Sequence, residues 1–204
     1  MHWLRSIEAT APSYPAVWLI ETARRPRNLM ERSQLRRETA GALLARQLGC
    51  PEGEIAIGHD PAGQPKLAAS QAGRLHISLA TRAGIVAIAL AEKPVGVDVE
   101  LVDPAGAIPH EALHPDEQQM LGAIETGMRP LAFARLWAAK EAYVKALGTG
   151  FTRPPESFAV SLPSPERFRI DDPSRGLRAE GLLRTIENGG RETLAAAAIV
   201  LEGA

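Results

Sequence analysis

The sequence predicts an α+β fold, and three observations carry that prediction. Two long stretches, 29–48 and 129–147, repeat apolar residues at helical spacing, and a glycine stands just past each end. Three short β-rich runs lie between them, and three more follow the second stretch. With 204 residues, 45% of them hydrophobic, the chain buries enough surface to build a core without disulfide or metal staples.

Residues 16–21 (AVWLIE) form a compact apolar run and read as a strand. After the break at Arg24-Arg25-Pro26-Arg27, Ala40, Leu43, Leu44 and Leu48 keep helical spacing, and Gly49 with Pro51 stops the helix. Residues 54–59 read as a short strand, and Asp60-Pro61-Ala62-Gly63-Gln64-Pro65 is turn chemistry. The runs 74–79, 84–91 and 95–100 are separated by short polar turns and read as an antiparallel meander. Residues 110–123 predict a short helix with Pro115 near its start. In 129–147, Pro130 suits the first turn, and Phe133, Leu136, Trp137, Val144 and Leu147 form an apolar stripe. Gly148 stands where a left-handed terminal residue belongs. Strand-like runs 157–162, 176–186 and 192–201 complete the chain, which divides into an N-terminal half, 1–101, and a C-terminal half, 102–204.

No apolar stretch approaches the roughly 18 residues of a membrane span. The N-terminus lacks the charged region and apolar run of a signal peptide, and the lone Cys50 excludes an internal disulfide, so a cytoplasmic protein is expected. The formal charge of −1 gives the whole molecule no attraction to nucleic acid or to an acidic membrane. Its distribution is uneven. Six arginines (24, 25, 27, 32, 36, 37) face one acid, Glu31, between Arg24 and Arg37. Seven acids and no Lys or Arg lie between Asp98 and Glu125. That asymmetry suits one surface for phosphates or acidic partners and another for a cation; two balanced solvated faces are the plainer alternative.

Two segments concentrate chemistry. Val95-Gly96-Val97-Asp98-Val99-Glu100 alternates strictly, so the valines face one side of a strand and Gly96, Asp98 and Glu100 the other. Carboxylates at i and i+2 lie about 7 Å apart at Cα and repel unless a cation lies between them; an acid edge facing water is the alternative. In the second, Glu141 stands one helical turn from both Trp137 and Lys145. It is either half of a surface ion pair or a carboxylate beside the apolar stripe that needs a partner. A hard cation shared with Asp98 and Glu100 is such a partner, and three carboxylates with waters suit Mg2+. The histidines show no ligand spacing: His76 alternates on a strand, and His59, His110 and His114 sit at loops or helix ends. Cys50, between Gly49 and Pro51, reads as inert.

Val95-Gly-Val-Asp-Val-Glu100 followed by Trp137-Ala-Ala-Lys-Glu-Ala-Tyr-Val-Lys145 resembles the paired signature of the 4′-phosphopantetheinyl transferases. Each half alone is a short degenerate pattern; the pair in this order and spacing is specific. The length and the extra N-terminal half resemble the Sfp-type branch, which implies a pseudo-dimer of two similar α+β halves. The resemblance runs over about residues 20–162, with the arginine-rich helix around Arg37, Gly63-Gln64-Pro65 and Ile77-Ser78 as weaker upstream parts. It implies transfer of the phosphopantetheine arm of coenzyme A to a serine of an acyl or peptidyl carrier protein; a monomer is expected. It further implies Mg2+ on Asp98, Glu100 and Glu141, with Glu141 also the base and Lys145 on the coenzyme A phosphates. Arg37, Gly63, Pro65, Lys66 and Ser78 are implied at the co-substrate, and the role of Lys140 stays open.

Two departures stand out. The family's Ser-His-Ser is Ser78-Leu79-Ala80 here, so the histidine that reaches the 3′-phosphate is missing unless Arg24, Arg25 or Arg37 compensates. Its Gly-Lys-Pro is Gly63-Gln64-Pro65, with Lys66 one residue on. They motivate a rival, a non-catalytic homologue that binds carrier protein or a coenzyme A-like ligand. A third reading is an unrelated metal site for nucleotide hydrolysis. The intact Asp98, Glu100, Glu141 and Lys145 favour the transferase, since a mere binder has no need of a base.

Overall fold

The computed structural model describes residues 1–68, 74–149, 153–190 and 192–202, and confirms the α+β class. Helix α1 spans Leu29–Leu48. Its start is set by Asn28, whose side chain accepts the Glu31 N–H at 2.9 Å, while the Glu31 carboxylate reaches back to the Arg27 N–H at 2.7 Å. Gly49 ends it at φ 69°, and the Cys50 N–H closes onto Ala45 O at 3.0 Å. Helix α2 is Pro115–Ala123, started by a capping box between His114 and Glu117. Helix α3 is Arg129–Leu147, with Pro130 in the first turn and Gly148 at φ 70° beyond its end.

Among the described residues the strands form two main sheets. One runs β1 (His2–Leu4), β2 (Ala16–Glu21), β6 (Ile85–Ala91), β5 (His76–Arg82). The other runs β7 (Val95–Leu101), β11 (Glu192–Val200), β10 (Leu177–Asn188), β9 (Arg167–Asp172), β8 (Ala159–Ser164). β3 (Ile57–His59) and β4 (Pro65–Leu67) make a separate hairpin. β1 lies parallel to β2, and the other pairs are antiparallel.

Period-two alternation sorts the core into layers. Trp18, Ile88 and Leu90 pack with Leu35, Leu43 and Leu44 of α1. The opposite faces, with Val17, Leu19, Ala87 and Ala89, meet Val95, Val97, Ala196 and Ala198 of the second sheet. Beyond it, Ala197, Ile199, Phe168 and Leu183 pack with Leu136, Ala139 and Tyr143 of α3. The order is helix, sheet, sheet, helix.

The expected meander stops short. β5 and β6 pair, but β7 hydrogen-bonds to β11 in the other sheet. Pro94, which has no N–H, separates β6 from β7, and its carbonyl instead takes the Leu201 N–H at 2.9 Å. Between β5 and β7 the bridge is a side chain: Ser78 Oγ accepts the Val97 N–H at 3.1 Å. Val95–Leu101, the end of the N-terminal half as the sequence was divided, is thus an edge of the sheet that carries α3. The run 54–59 is also shorter than expected, since Glu52–Glu54 is a 3₁₀ turn and only Ile57–His59 pairs. Strands β1, β4 and β9 were not anticipated.

This layering positions the site. With the β7 valines in the central core, Gly96, Asp98 and Glu100 must turn toward α3. A Cβ on Gly96 would stand 1.8 Å from Ala142 O, so only glycine lets α3 lie this close to β7.

Candidate active site

Asp98 and Glu100 of β7 face Glu141 and Lys145 of α3. The Lys145 ammonium donates to Asp98 Oδ1 at 2.6 Å and to Val97 O at 3.3 Å. Lys145 therefore pairs across the two elements and not with Glu141 one turn before it. Asp98 is 7% exposed, and its Oδ2 is buried with no hydrogen-bond partner. Glu100 is 3.5 Å from Arg82 Nε.

Glu100 and Glu141 hold protons more tightly than ordinary carboxylates. Burial, then the charge of Asp98 and that of Glu141, pushes Glu100 up to about 7 against the pull of Arg82 and Lys145. Glu141 is raised by burial and by Asp98, opposed by Lys145. Three carboxylates thus share one partly desolvated field with a single close ammonium.

A cleft of about 520 Å³ opens beside them. α3 lines it with Glu141, Val144, Lys145 and Gly148, the β3–β4 hairpin with His59, Gly63, Gln64 and Pro65, β5 with Ser78 and Leu79, and α1 with Leu29 and Arg36. Gln64 ties two of these walls together. Its Nε2 donates to Lys145 O at 2.8 Å and its Oε1 accepts from Lys66 Nζ at 2.7 Å. A larger groove of about 830 Å³ lies elsewhere, lined by the α2 start and strands β8–β10, and contains none of these groups.

Most residues singled out in the sequence meet here: Asp98, Glu100, Glu141 and Lys145 across β7 and α3, and Gly63, Pro65, Ser78, Glu141 and Lys145 around the cleft. Lys66 does not line it; its ammonium lies on Gln64 and 3.6 Å from Asp60. Arg37 is exposed and also outside the lining, while Arg36, partly buried, lies within it. A signal for Arg36 existed: it stands four and seven positions before the buried Ala40 and Leu43, so it shares a face with them. Arg24 and Arg25 are occupied elsewhere, Arg24 by Glu38 and Arg25 by Thr22 O at 2.8 Å. His59, read as a loop residue, lines the cleft, and no sequence pattern marked it.

Lys140 turns away from this site. It is 1% exposed, 2.7 Å from the fully buried Glu117, and donates to Pro155 O at 2.6 Å and Phe158 O at 3.0 Å. Glu117 also accepts the Val160 N–H at 2.7 Å, so the pair joins α2, α3 and β8. A second buried network missed in the sequence is Tyr143 Oη on Asp172 Oδ2 at 2.7 Å, joined there by Arg153 at 2.5 Å.

Among the described residues no three acidic, imidazole or thiol groups stand at the spacing of a ready-made metal cage. The donor chemistry nonetheless fits a hard cation: carboxylate oxygens, one of them buried and unpartnered, whose mutual repulsion a divalent ion relieves.

The 4′-phosphopantetheinyl transferase superfamily model matches residues 94–197, the stretch that contains β7 and α3. The chain is 32% identical over 117 residues to a putative 4′-phosphopantetheinyl transferase of Synechocystis sp., covering 54% of this chain and 46% of that protein. It is 27% identical over 130 residues to the 4′-phosphopantetheinyl transferase of Bacillus subtilis, covering 63% and 57%. A third relative, a 4′-phosphopantetheinyl transferase of Aneurinibacillus migulanus, is 29% identical over 87 residues, covering 42% and 37%. The chain spans about half the length of the curated relatives it matches. No helix among the described residues is long and apolar enough to cross a membrane.

Proposed function

Because this chain belongs to the 4′-phosphopantetheinyl transferase superfamily, we propose that it moves the 4′-phosphopantetheine arm of coenzyme A onto a serine hydroxyl of an acyl or peptidyl carrier protein. The observation that carries the reading is the meeting of Asp98, Glu100, Glu141 and Lys145 beside a cleft lined by Gly63, Pro65, Ser78 and Arg36. Phosphoryl transfer asks a protein for charge neutralisation and alignment more than for covalent chemistry, and this site supplies both signs of charge at close range.

In the reaction the serine Oγ attacks the phosphorus that bears the pantetheine arm. The bond from that phosphorus to the bridging oxygen breaks, and adenosine 3′,5′-bisphosphate leaves with that oxygen. The serine proton passes to Glu141, directly or through a water. The raised proton affinity of Glu141 makes it a stronger base than an ordinary carboxylate. Lys145, on the cleft wall, holds the co-substrate phosphates and keeps Asp98 in place. Asp98, Glu100 and Glu141 would hold Mg2+, which when bound neutralises charge on the pyrophosphate. The two halves implied by the Sfp-type resemblance correspond in this reading to the α1 layer with the first sheet and the α3 layer with the second.

Mass spectrometry of a carrier protein incubated with this protein, coenzyme A and Mg2+ tests the proposal. Gain of the arm on the carrier serine, dependent on Mg2+ and on Glu141, is expected. An unmodified carrier in the presence of bound coenzyme A would overturn it in favour of a binding protein.

A further inference from the structure

One cation beside the carboxylates has no task in the transfer chemistry above. Arg82 closes β5, and the turn that follows, Ala83 at φ 45° and Gly84 at φ 79°, returns the chain to Ile85 opposite it. Period-two alternation puts Ser78 and Arg82 on one face of that strand. Ser78 Oγ meets the Val97 N–H of β7 at 3.1 Å, and Arg82, farther along β5, comes to Glu100, farther along β7. Its Nε stands 3.5 Å from Glu100 Oε2, and the guanidinium makes no other ion pair among the described residues. A charge-assisted hydrogen bond is shorter, about 2.7–2.9 Å, so this pair is loose. Lys145 on Asp98, at 2.6 Å, is closely engaged by comparison. Glu141 makes neither a hydrogen bond nor an ion pair with any described residue.

The three carboxylates are therefore held unequally: Asp98 tightly, Glu100 loosely, Glu141 not at all. When all are ionised, their three negative charges face the two positive charges of Lys145 and Arg82. A divalent cation turns that deficit of one charge into an excess of one, whereas without Arg82 the same cation would bring the site to neutrality. Arg82 thus opposes a dication in two ways, by pairing with Glu100 and by repelling the incoming charge. The pair is also open to solvent, with the side chains 39% and 23% exposed, so a stronger cation breaks it at small cost. We propose that Arg82 competes with the divalent cation for Glu100 and thereby sets how tightly that cation is held, which makes Glu100 the exchangeable member of the three carboxylates. The inference rests on the divalent-cation reading above and deepens it. Arg82 is in this sense a positioning residue, acting on the cation through Glu100.

Calorimetric titration of Mg2+ into chelator-treated protein at pH 8 tests it, with Arg82→Met and Glu100→Gln combined in a double-mutant cycle. Arg82→Met is expected to tighten Mg2+ about threefold to tenfold, the scale of one partly exposed ion pair and one repelled dication. In the Glu100→Gln background the same change is expected to matter less than about twofold, because Arg82 then has no partner to hold it beside the site. Arg82→Lys covers the case in which Arg82→Met fails to fold: it should tighten Mg2+ by a smaller factor, again only with Glu100 present. An equal gain in both backgrounds would reduce Arg82 to a general surface charge and overturn the proposal; so would no gain, or weaker binding, with Glu100 intact. A wild-type protein that binds no Mg2+ would overturn this inference and the metal role in the proposed function together. The expected pattern of affinities without transfer to a carrier would overturn the proposed function alone.

Discussion

Replacing Glu100 by glutamine removes a charge from the carboxylate cluster while keeping its shape. In the folded protein Glu100 is raised from the ordinary 4.5 to about 7, chiefly by burial and by Asp98. A raised folded value means that the folded state holds the proton to a higher pH than the unfolded state does. Between about pH 4.5 and 7 the folded chain binds more protons, so stability falls as pH rises through that window and is level above it. The shift corresponds to roughly 3 kcal/mol as a ceiling, and the side chain is 23% exposed, so solvent removes only part of it. Arg82 at 3.5 Å is 39% exposed and offsets little. Thermal melts without divalent cations test this at pH 5 and pH 8. Glu100→Gln should be the more stable protein at pH 8, by up to roughly 6–12 °C for a chain of this size, and should match wild type more nearly at pH 5. Mg2+ at pH 8 should narrow the gap by stabilising the wild type. Parallel pH profiles for the two proteins would refute the assignment of Glu100 to a shared, desolvated carboxylate field.

Asp98→Ala and Glu141→Ala should each abolish transfer to a carrier while circular dichroism stays native, and Glu100→Ala should be milder; unchanged turnover in Glu141→Ala would sink both its base and its metal role. Lys140→Met should lower stability by about 3–5 kcal/mol in urea melts, because it strands the buried Glu117, and a near-neutral result would show that Glu117 is satisfied by its backbone donors alone. Leu79→His should tighten coenzyme A and widen its advantage over 3′-dephospho-coenzyme A; no change in either quantity would place the residue away from the 3′-phosphate. Transfer efficiency should fall as salt rises, through weaker encounter with an acidic carrier, and a salt-independent apparent affinity for the carrier would count against that partner.

The sequence by itself determined the local elements that build the site. Helix α1 and helix α3 were bounded to the residue, because proline and glycine at their ends act through nearest-neighbour backbone geometry. The alternation of Val95-Gly96-Val97-Asp98-Val99-Glu100 put both carboxylates on one face before any partner was known, since side-chain direction on a strand depends only on parity. What covers that face was not a local matter. Runs that look like three strands of one meander divide between two sheets, because β7 pairs with β11, about a hundred residues later in the chain. The partner of Lys145 followed from that pairing: Glu141 is its neighbour along the helix, but Asp98 is its neighbour across the packed layers. Lys140, adjacent to Glu141 in sequence, points into a buried ion pair because a helix turns about 100° per residue. His59 and Arg36 reached the cleft through the docking of a hairpin and a helix whose contacts lie far apart in the chain. Parity and capping are written in neighbouring residues, whereas the charge that meets each carboxylate is set by which elements the core brings together.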